Sequence, residues 1–268
     1  MKRNRTLPAV VLAAGFSRRM GRCKLTLTLD GEPLVRRAVR AALEAGLAPV
    51  FVTMRPDASP ELRAAVSGFD ERVEIVPAPD ARLGQSESLK AGIRRLLSRF
   101  SPGSDPESSA FQEKRPEGNR FPASGRGRSE PERPEPCGQA CEGPGCSPEA
   151  APGTDAPLPA SAVPAVPGAM ILLGDQPLVG AELVRALADF FLEAPERAAA
   201  PACGGVRGNP VVLPAGAFAA VLQLDGDTGA RSILAAFGLR LLPTNDTAAL
   251  TDVDTWEAYE SLSRAKSS

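Results

Sequence analysis

Apolar residues fall along this chain in two alternating rhythms. Residues 8–13 (Pro-Ala-Val-Val-Leu-Ala) form a continuous apolar run, the pattern of a strand buried on both faces. After a glycine-bearing loop, Leu34, Val35, Ala38, Val39, Ala42 and Leu43 recur at helical spacing, with Pro33 at the first turn and Gly46 at the stop. Residues 49–53 predict a second buried strand, 61–66 a short helix, 73–76 a third strand and 86–100 another helix. The rhythm resumes with a strand at 169–173, a helix at 181–192 and strands near 198–202 and 210–213. Helical stretches at 218–222 and 230–237, a last strand at 239–242 and a last helix at 255–263 complete it. Strand–helix alternation of this kind calls for a parallel sheet covered by helices.

Residues 101 to about 167 break the pattern. About half of the chain's 27 prolines lie there, and between 101 and 162 the large apolar residues are Phe111, Phe121 and Leu158. Ordering a residue costs roughly 1–2 kcal/mol of backbone entropy, and this segment has little to bury in return. It reads as a long disordered insertion, not a second domain. Residues 1–268 are therefore expected to form a single domain with an interruption. Cys137, Cys141 and Cys146 fall inside the interruption, at spacings that suit free thiols better than a metal or iron–sulfur site.

Composition narrows the chemistry. Of 268 residues 43% are hydrophobic and 24% charged, with a net charge of -1. That supports a real core and gives no global field for nucleic acid or anionic membrane. No apolar stretch approaches the roughly 18 residues of a membrane span. The basic start, Met1-Lys-Arg-Asn-Arg, leads into an apolar run too short for an export signal. Five cysteines without framework spacing suggest reduced thiols and a cytoplasmic location. There is no histidine. Imidazole bases, Ser-His-Asp or Cys-His nucleophiles and His-ligated zinc are thereby excluded.

Three features carry chemistry. The first loop, Leu12-Ala-Ala-Gly-Phe-Ser-Arg-Arg-Met-Gly-Arg-Cys-Lys24, leaves a buried strand at its C-terminal end, where open α/β sheets place ligands. Gly15 and Gly21 let the backbone turn, and Ser17, Arg18, Arg19 and Lys24 add donors and charge for a phosphate. The loop is neither a Walker A sequence nor a G-x-G-x-x-G. Second, Gly174-Asp175-Gln176-Pro177 puts a carboxylate at a strand end, placed for a magnesium ion or for capping a helix. Third, Asp252-Val253-Asp254-Thr255 offers two carboxylates on one face if extended. Asp254 reads first as the N-cap of the last helix, with Glu257 completing a capping box, and second as a further metal contact.

Six segments occur in order: Leu12-Ala-Ala-Gly-x-Ser-x-Arg-Met-Gly-x-x-Lys24, Gly84-Gln-Ser-x-Ser-Leu-Lys-Ala-Gly92, Leu173-Gly-Asp-Gln-Pro177, Gly208-Asn-Pro-Val-Val212, Gly226-Asp-Thr-Gly-Ala-Arg231 and Asp252-Val-Asp-Thr255. Together they resemble the MobA-like nucleotidyltransferase family, in its molybdenum cofactor cytidylyltransferase (MocA-type) branch. The resemblance spans everything but the insertion. It implies a Rossmann-like domain of the nucleotide-diphospho-sugar transferase type, with a mostly parallel sheet and helices on both faces. It also implies transfer of CMP from CTP to molybdopterin or molybdenum cofactor, with Mg²⁺ and release of pyrophosphate.

By that resemblance, Leu12, Ala13, Ala14, Gly15, Ser17, Arg18, Arg19 and Lys24 wrap the nucleotide, with Arg19 and Lys24 neutralising the triphosphate. Gln85, Ser86 and Ser88 lie near base and ribose, and Asp175 holds magnesium, with Asp254 second. Gly208, Asn209, Pro210, Asp227, Gly229 and Arg231 face the acceptor. Family members commonly carry His where this chain has Asn209. Ala13-Ala14-Gly15 resembles the cytidylyl branch, since the guanylyl branch typically has Gly at Ala14. Rival expectations are guanylyl transfer, nucleotidyl transfer to another phosphorylated acceptor, and a non-catalytic module that binds and delivers the cofactor. Expected partners extend to a molybdoenzyme or its delivery factor, with no nucleic acid and no membrane.

Overall fold

The structure, a computed structural model, describes residues 7–17, 20–100, 166–226 and 231–266. The expected insertion and its three cysteines lie outside the described residues, which all belong to one compact unit.

In chain order, β1 (Ala9–Leu12) leads through the first loop to a 3-10 turn at Lys24–Thr26 and a small hairpin of β2 (Thr28–Leu29) and β3 (Glu32–Pro33). Then come α1 (Leu34–Glu44), β4 (Val50–Met54), α2 (Pro60–Val66), β5 (Val73–Pro77), a 3-10 turn at Ala81–Leu83 and α3 (Gln85–Phe100). Past the undescribed stretch lie β6 (Gly168–Leu173), α4 (Ala181–Leu192), β7 (Ala199–Cys203), β8 (Val206–Arg207), β9 (Val211–Pro214) and α5 (Phe218–Leu222). The chain ends with α6 (Arg231–Ala236), β10 (Arg240–Thr244), a 3-10 turn at Thr247–Leu250 and α7 (Trp256–Lys266).

The main sheet runs β10-β7-β9-β6-β1-β4-β5, with β8 paired to β7. β6, β1, β4 and β5 are mutually parallel, as are β7 and β10. β9 runs antiparallel between β6 and β7. The sheet is thus mostly parallel, as expected, with two reversed strands, β9 and the short β8, that periodicity does not reveal.

Alternate residues of each strand feed opposite cores. Val11, Val52 and Leu172 meet Val35 and Val39 of α1, Leu62 of α2 and Leu187 and Phe191 of α4. Val10, Phe51 and Ile171 meet Leu89, Ile93 and Leu96 of α3, Phe218 and Val221 of α5 and Ile233 of α6. Helices therefore cover both faces. Helix α3 comes in close because residue 92 is glycine: a Cβ there would lie 2.4 Å from Val10 Cγ1.

The β2–β3 hairpin has no counterpart in the periodicity, because two-residue strands are too short to show one. Its turn residues are Asp30 and Gly31, both with positive φ (54° and 78°), as a two-residue primed turn requires.

The chain leaves the described body at Phe100, the end of α3, and re-enters at Val166, just before β6. Both residues pack into the α3-side core. They lie toward the edge where the parallel strands begin, away from the edge where β1 and β6 end.

Candidate active site

β1 and β6 run side by side, Leu12 opposite Leu173. β4 lies on one flank of β1 and β6 on the other, so the crevice above their C-terminal ends is a topological switch point, where such sheets bind ligands. A cavity of about 490 Å³ opens there, within the usual range for small-molecule sites. Leu12, Ala14, Gly15, Phe16, Ser17 and Lys24 wall one side of it. Residues 81–85 and Ser88 wall another, and Asp175 and Asp254 lie at its base.

The loop after β1 is closed by its own hydroxyl. Ser17 has a positive φ of 49°, an uncommon conformation for a residue with a Cβ. It is held there because its carbonyl accepts from Met20 N–H and its Oγ accepts from Lys24 N–H, both at 3.0 Å. Arg18 and Arg19, between these anchors, lie outside the described residues.

Lys24 is the centre of the site. Its ammonium meets Asp175 Oδ2 and Asp254 Oδ1, each at 2.5 Å, and its side chain is only 12% exposed. Burial alone would lower the Lys24 pKa; the two carboxylates outweigh it and hold the group above its ordinary value. Asp252 is raised as well, which for a carboxyl favours the neutral form. Partial burial, then the neighbouring Asp254 and Asp175 carboxylates, push its carboxyl up.

Asp254 does not cap the last helix. Helix α7 begins at Trp256, and Thr255 Oγ1 accepts from Ala258 N–H at 3.3 Å. Glu257, in the first turn, is held below the usual carboxylate range by its own backbone N–H and by the Thr255 hydroxyl. The cap is one residue later than expected because threonine is a competent N-cap itself. That shift leaves the Asp254 carboxylate facing Lys24.

Helix α7 also fastens the loop from outside. Trp256 Nε1–H donates to Met20 carbonyl at 3.3 Å, Arg22 stacks 4.4 Å from the Trp256 ring, and Tyr259 Oη–H donates to Thr28 carbonyl at 2.7 Å. The chain's one tryptophan and one tyrosine thus both brace the segment that carries Lys24. The sequence offered no spacing that would single them out.

Other expected residues are placed as follows. Gln85 and Ser88 line the cavity; Ser86 does not. Ser86 is 1% exposed and its hydroxyl donates to Gly226 carbonyl at 2.5 Å, so it ties the head of α3 to the turn before α6. Ala13 is likewise in the core, its N–H bonded to Thr53 carbonyl. Gly208, Asn209 and Pro210 are not cavity walls. A Cβ at Gly208 would lie 2.5 Å from Ala249 carbonyl oxygen, and Asn209 N–H donates to that same oxygen at 2.9 Å. These contacts pack the entry to β9 against the 3-10 turn that precedes Asp252. Asp227 and Gly229 lie outside the described residues, and Arg231 opens α6.

Phe16, Arg82 and Leu83 enter the wall without having been expected. Arg55 stacks 4.1 Å over Phe16 and contacts Asp57, which Arg82 also meets. Gly84 in the fourth wall position belongs to a quoted motif; residues 81–83 belong to none.

The base of the cavity suits a hard cation. Asp175 and Asp254 oxygens converge on one point within about 5 Å of each other, and Mg²⁺ is typically held by one or two carboxylates plus substrate phosphates and water. Among the described residues no group of three or more His, Cys, Asp or Glu side chains is arranged to cage a metal by itself.

Comparisons with known proteins give the chain a family and its fold known relatives. A family model described as "MobA-like NTP transferase domain" matches residues 9–241. The purine catabolism protein PucB of Bacillus subtilis is 28% identical over 97% of this chain and 98% of its own length. A probable molybdenum cofactor guanylyltransferase of Opitutus terrae is 40% identical over 88 residues, 33% of this chain and 44% of that protein. Among solved structures, Rv0371c of Mycobacterium tuberculosis H37Rv has a TM-score of 0.61 at 20% identity, covering 97% of this chain and 98% of its own. A complex of that protein with manganese gives a TM-score of 0.58 at the same identity, covering 97% and 99%. At such identities the solved structures establish the fold.

Proposed function

The chain belongs to the MobA-like NTP transferase family, a family of nucleotidyltransferases, and from that premise we propose that it transfers CMP from CTP to molybdopterin or molybdenum cofactor, releasing pyrophosphate. The observation that carries the reading is the convergence of Lys24, Asp175 and Asp254 at the base of a nucleotide-sized cavity above the β1–β6 switch point. Three charged groups so placed match the needs of nucleotidyl transfer, where positioning and charge neutralisation do most of the work.

Leu12, Ala14, Gly15 and Ser17 form the seat of the triphosphate, with Lys24 and Arg19 as its cations. Asp175 and Asp254 are the residues that would hold a divalent ion, Mg²⁺ on this reading. When bound, it supplies Lewis-acid stabilisation of charge on the α-phosphate and the departing pyrophosphate. The acceptor's terminal phosphate is already anionic, so the attack needs no imidazole, consistent with a chain that has no histidine. Gln85 and Ser88 are assigned to base and ribose. Residues 208–210 and 227–231 are assigned to the acceptor. The product would pass to a molybdoenzyme or its delivery factor. Residues 1–268 are read as one nucleotidyltransferase domain, placed in the cytoplasm; no helix among the described residues is long and apolar enough to cross a membrane.

CTP is preferred because Ala14 carries a methyl where the guanylyl branch has glycine, and it packs with Ala78 and Ala81 beside the cavity. Guanylyl transfer is the second reading, favoured by the 88-residue match to a guanylyltransferase. A delivery module has less support, because a binder that does no chemistry has no need for both aspartates around Lys24. The deciding experiment is pyrophosphate release with Mg²⁺ and molybdopterin cofactor, with CTP, GTP, ATP and UTP in parallel. Release with CTP is expected. Release chiefly with GTP would overturn the base assignment, and none from folded protein would overturn the reaction.

A further inference from the structure

Lys24 stands where a divalent cation would. Its ammonium lies 2.5 Å from Asp175 Oδ2 and 2.5 Å from Asp254 Oδ1. Both oxygens therefore aim at one point, the arrangement a hard cation takes at about 2.0–2.2 Å from each oxygen. The side chain is mostly shielded, while the backbone N–H of Lys24 is anchored on Ser17 Oγ. That anchor fixes the root of the side chain, and its flexible four-carbon stem lets the ammonium swing without moving the loop.

An ammonium and a divalent ion cannot share this point. Their repulsion in a half-buried site is far stronger than in water. The cavity beside Lys24 is lined by Gly15 and Ser17 of the loop, so phosphate oxygens seated there would offer the ammonium other partners a short swing away. We infer that Lys24 fills the divalent-cation position in the nucleotide-free protein, and that nucleotide binding draws it off, so metal and nucleotide occupy the site together. The inference rests on the reading of the cavity as a nucleoside triphosphate site. It assigns Lys24 a second role: it offsets part of the charge of the two aspartates and keeps their metal position closed until substrate arrives.

The test is Mn²⁺ binding to the intact chain without nucleotide, followed by the electron paramagnetic resonance signal of the free ion. The wild type is expected to match Asp175→Asn, with no site that depends on Asp175. Lys24→Gln should gain one site, about tenfold or more tighter, which disappears when Asp175→Asn is added. With α,β-methylene-CTP, and after correction for Mn²⁺ held by free nucleotide, binding should tighten more for the wild type than for Lys24→Gln. An Asp175-dependent Mn²⁺ site in the nucleotide-free wild type as tight as that of Lys24→Gln would overturn the inference. So would a Lys24→Gln protein with no gain. These titrations do not depend on turnover. Gated Mn²⁺ binding in a protein that transfers no nucleotide would keep the inference and remove the proposed reaction, and CTP turnover beside an ungated site would do the reverse.

Discussion

The backbone N–H of Val253 donates to the carbonyl of Asp175 at 3.0 Å, joining two segments far apart in sequence. It brings the flanking Asp254 carboxylate beside that of Asp175, and Lys24 closes the arrangement between them. The main-chain bond does not involve the Asp175 side chain. Asp175→Asn is therefore expected to leave the fold intact by circular dichroism while lowering kcat for pyrophosphate release by about 10²–10³-fold. Near-wild-type turnover would remove Asp175 from the chemistry.

Ser17 closes the phosphate loop by accepting from Lys24 N–H while holding a positive φ. Ser17→Ala loses that acceptor and keeps the unfavourable backbone. The expected cost is about 1–2 kcal/mol, seen mainly as a higher KM for the nucleotide. A KM equal to wild type would mean the loop is held by other contacts.

Gly92 faces Val10 so closely that a methyl would sit 2.4 Å from Val10 Cγ1 and 3.2 Å from Thr53 Cγ2. Gly92→Ala is expected to destabilise the protein by about 1–3 kcal/mol through overpacking. Urea unfolding would report it, and adding Val10→Ala should recover part of the loss. No recovery would point to a backbone cause.

Glu32 is held below the usual carboxylate range by its paired hydrogen bonds with Arg40, against a smaller opposing effect of burial. A lowered folded pKa means that the contribution is fully present above the unfolded value near 4.3 and is lost as pH falls through the folded pKa. Because Arg40 is 44% exposed, Glu32→Gln should cost only about 0.5–1 kcal/mol at pH 7. Urea midpoints of the two proteins should converge as pH drops below about 4. A gap unchanged at pH 3 would show that the charge is not its source.

Ala14→Gly removes the methyl that packs with Ala78 and Ala81. The ratio of kcat/KM for CTP over GTP is expected to fall by about 10-fold or more, the order of effect one methyl has in a pocket. An unchanged ratio would place base choice elsewhere in the cavity wall.

Much of this molecule could be read before it was seen. Residues 8–13 and 169–173 announce central strands because both their faces are buried, and helix 181–192 shows its full period. Lys24 and Asp175 were legible because strand exits in such sheets are where ligands bind. What escaped depends on distance in the chain. The reversed direction of β9 is a matter of pairing, which composition does not encode. Ser86 was assigned to the pocket, yet its place on α3 turns the hydroxyl inward to Gly226. Asp254 looked like a cap until Thr255 took that position. Trp256 and Tyr259 gave no signal, because what they do depends on the loop they touch.

The chain departs at Phe100, the last residue of α3, and returns at Val166, just before β6 begins, whereas Asp175 follows the opposite end of that strand. Neither Phe100 nor Val166 lines the cavity, so a substitution at either junction leaves the described walls in place. The exits of β1, β5 and β6 have no such latitude, since the segments that follow them line the cavity.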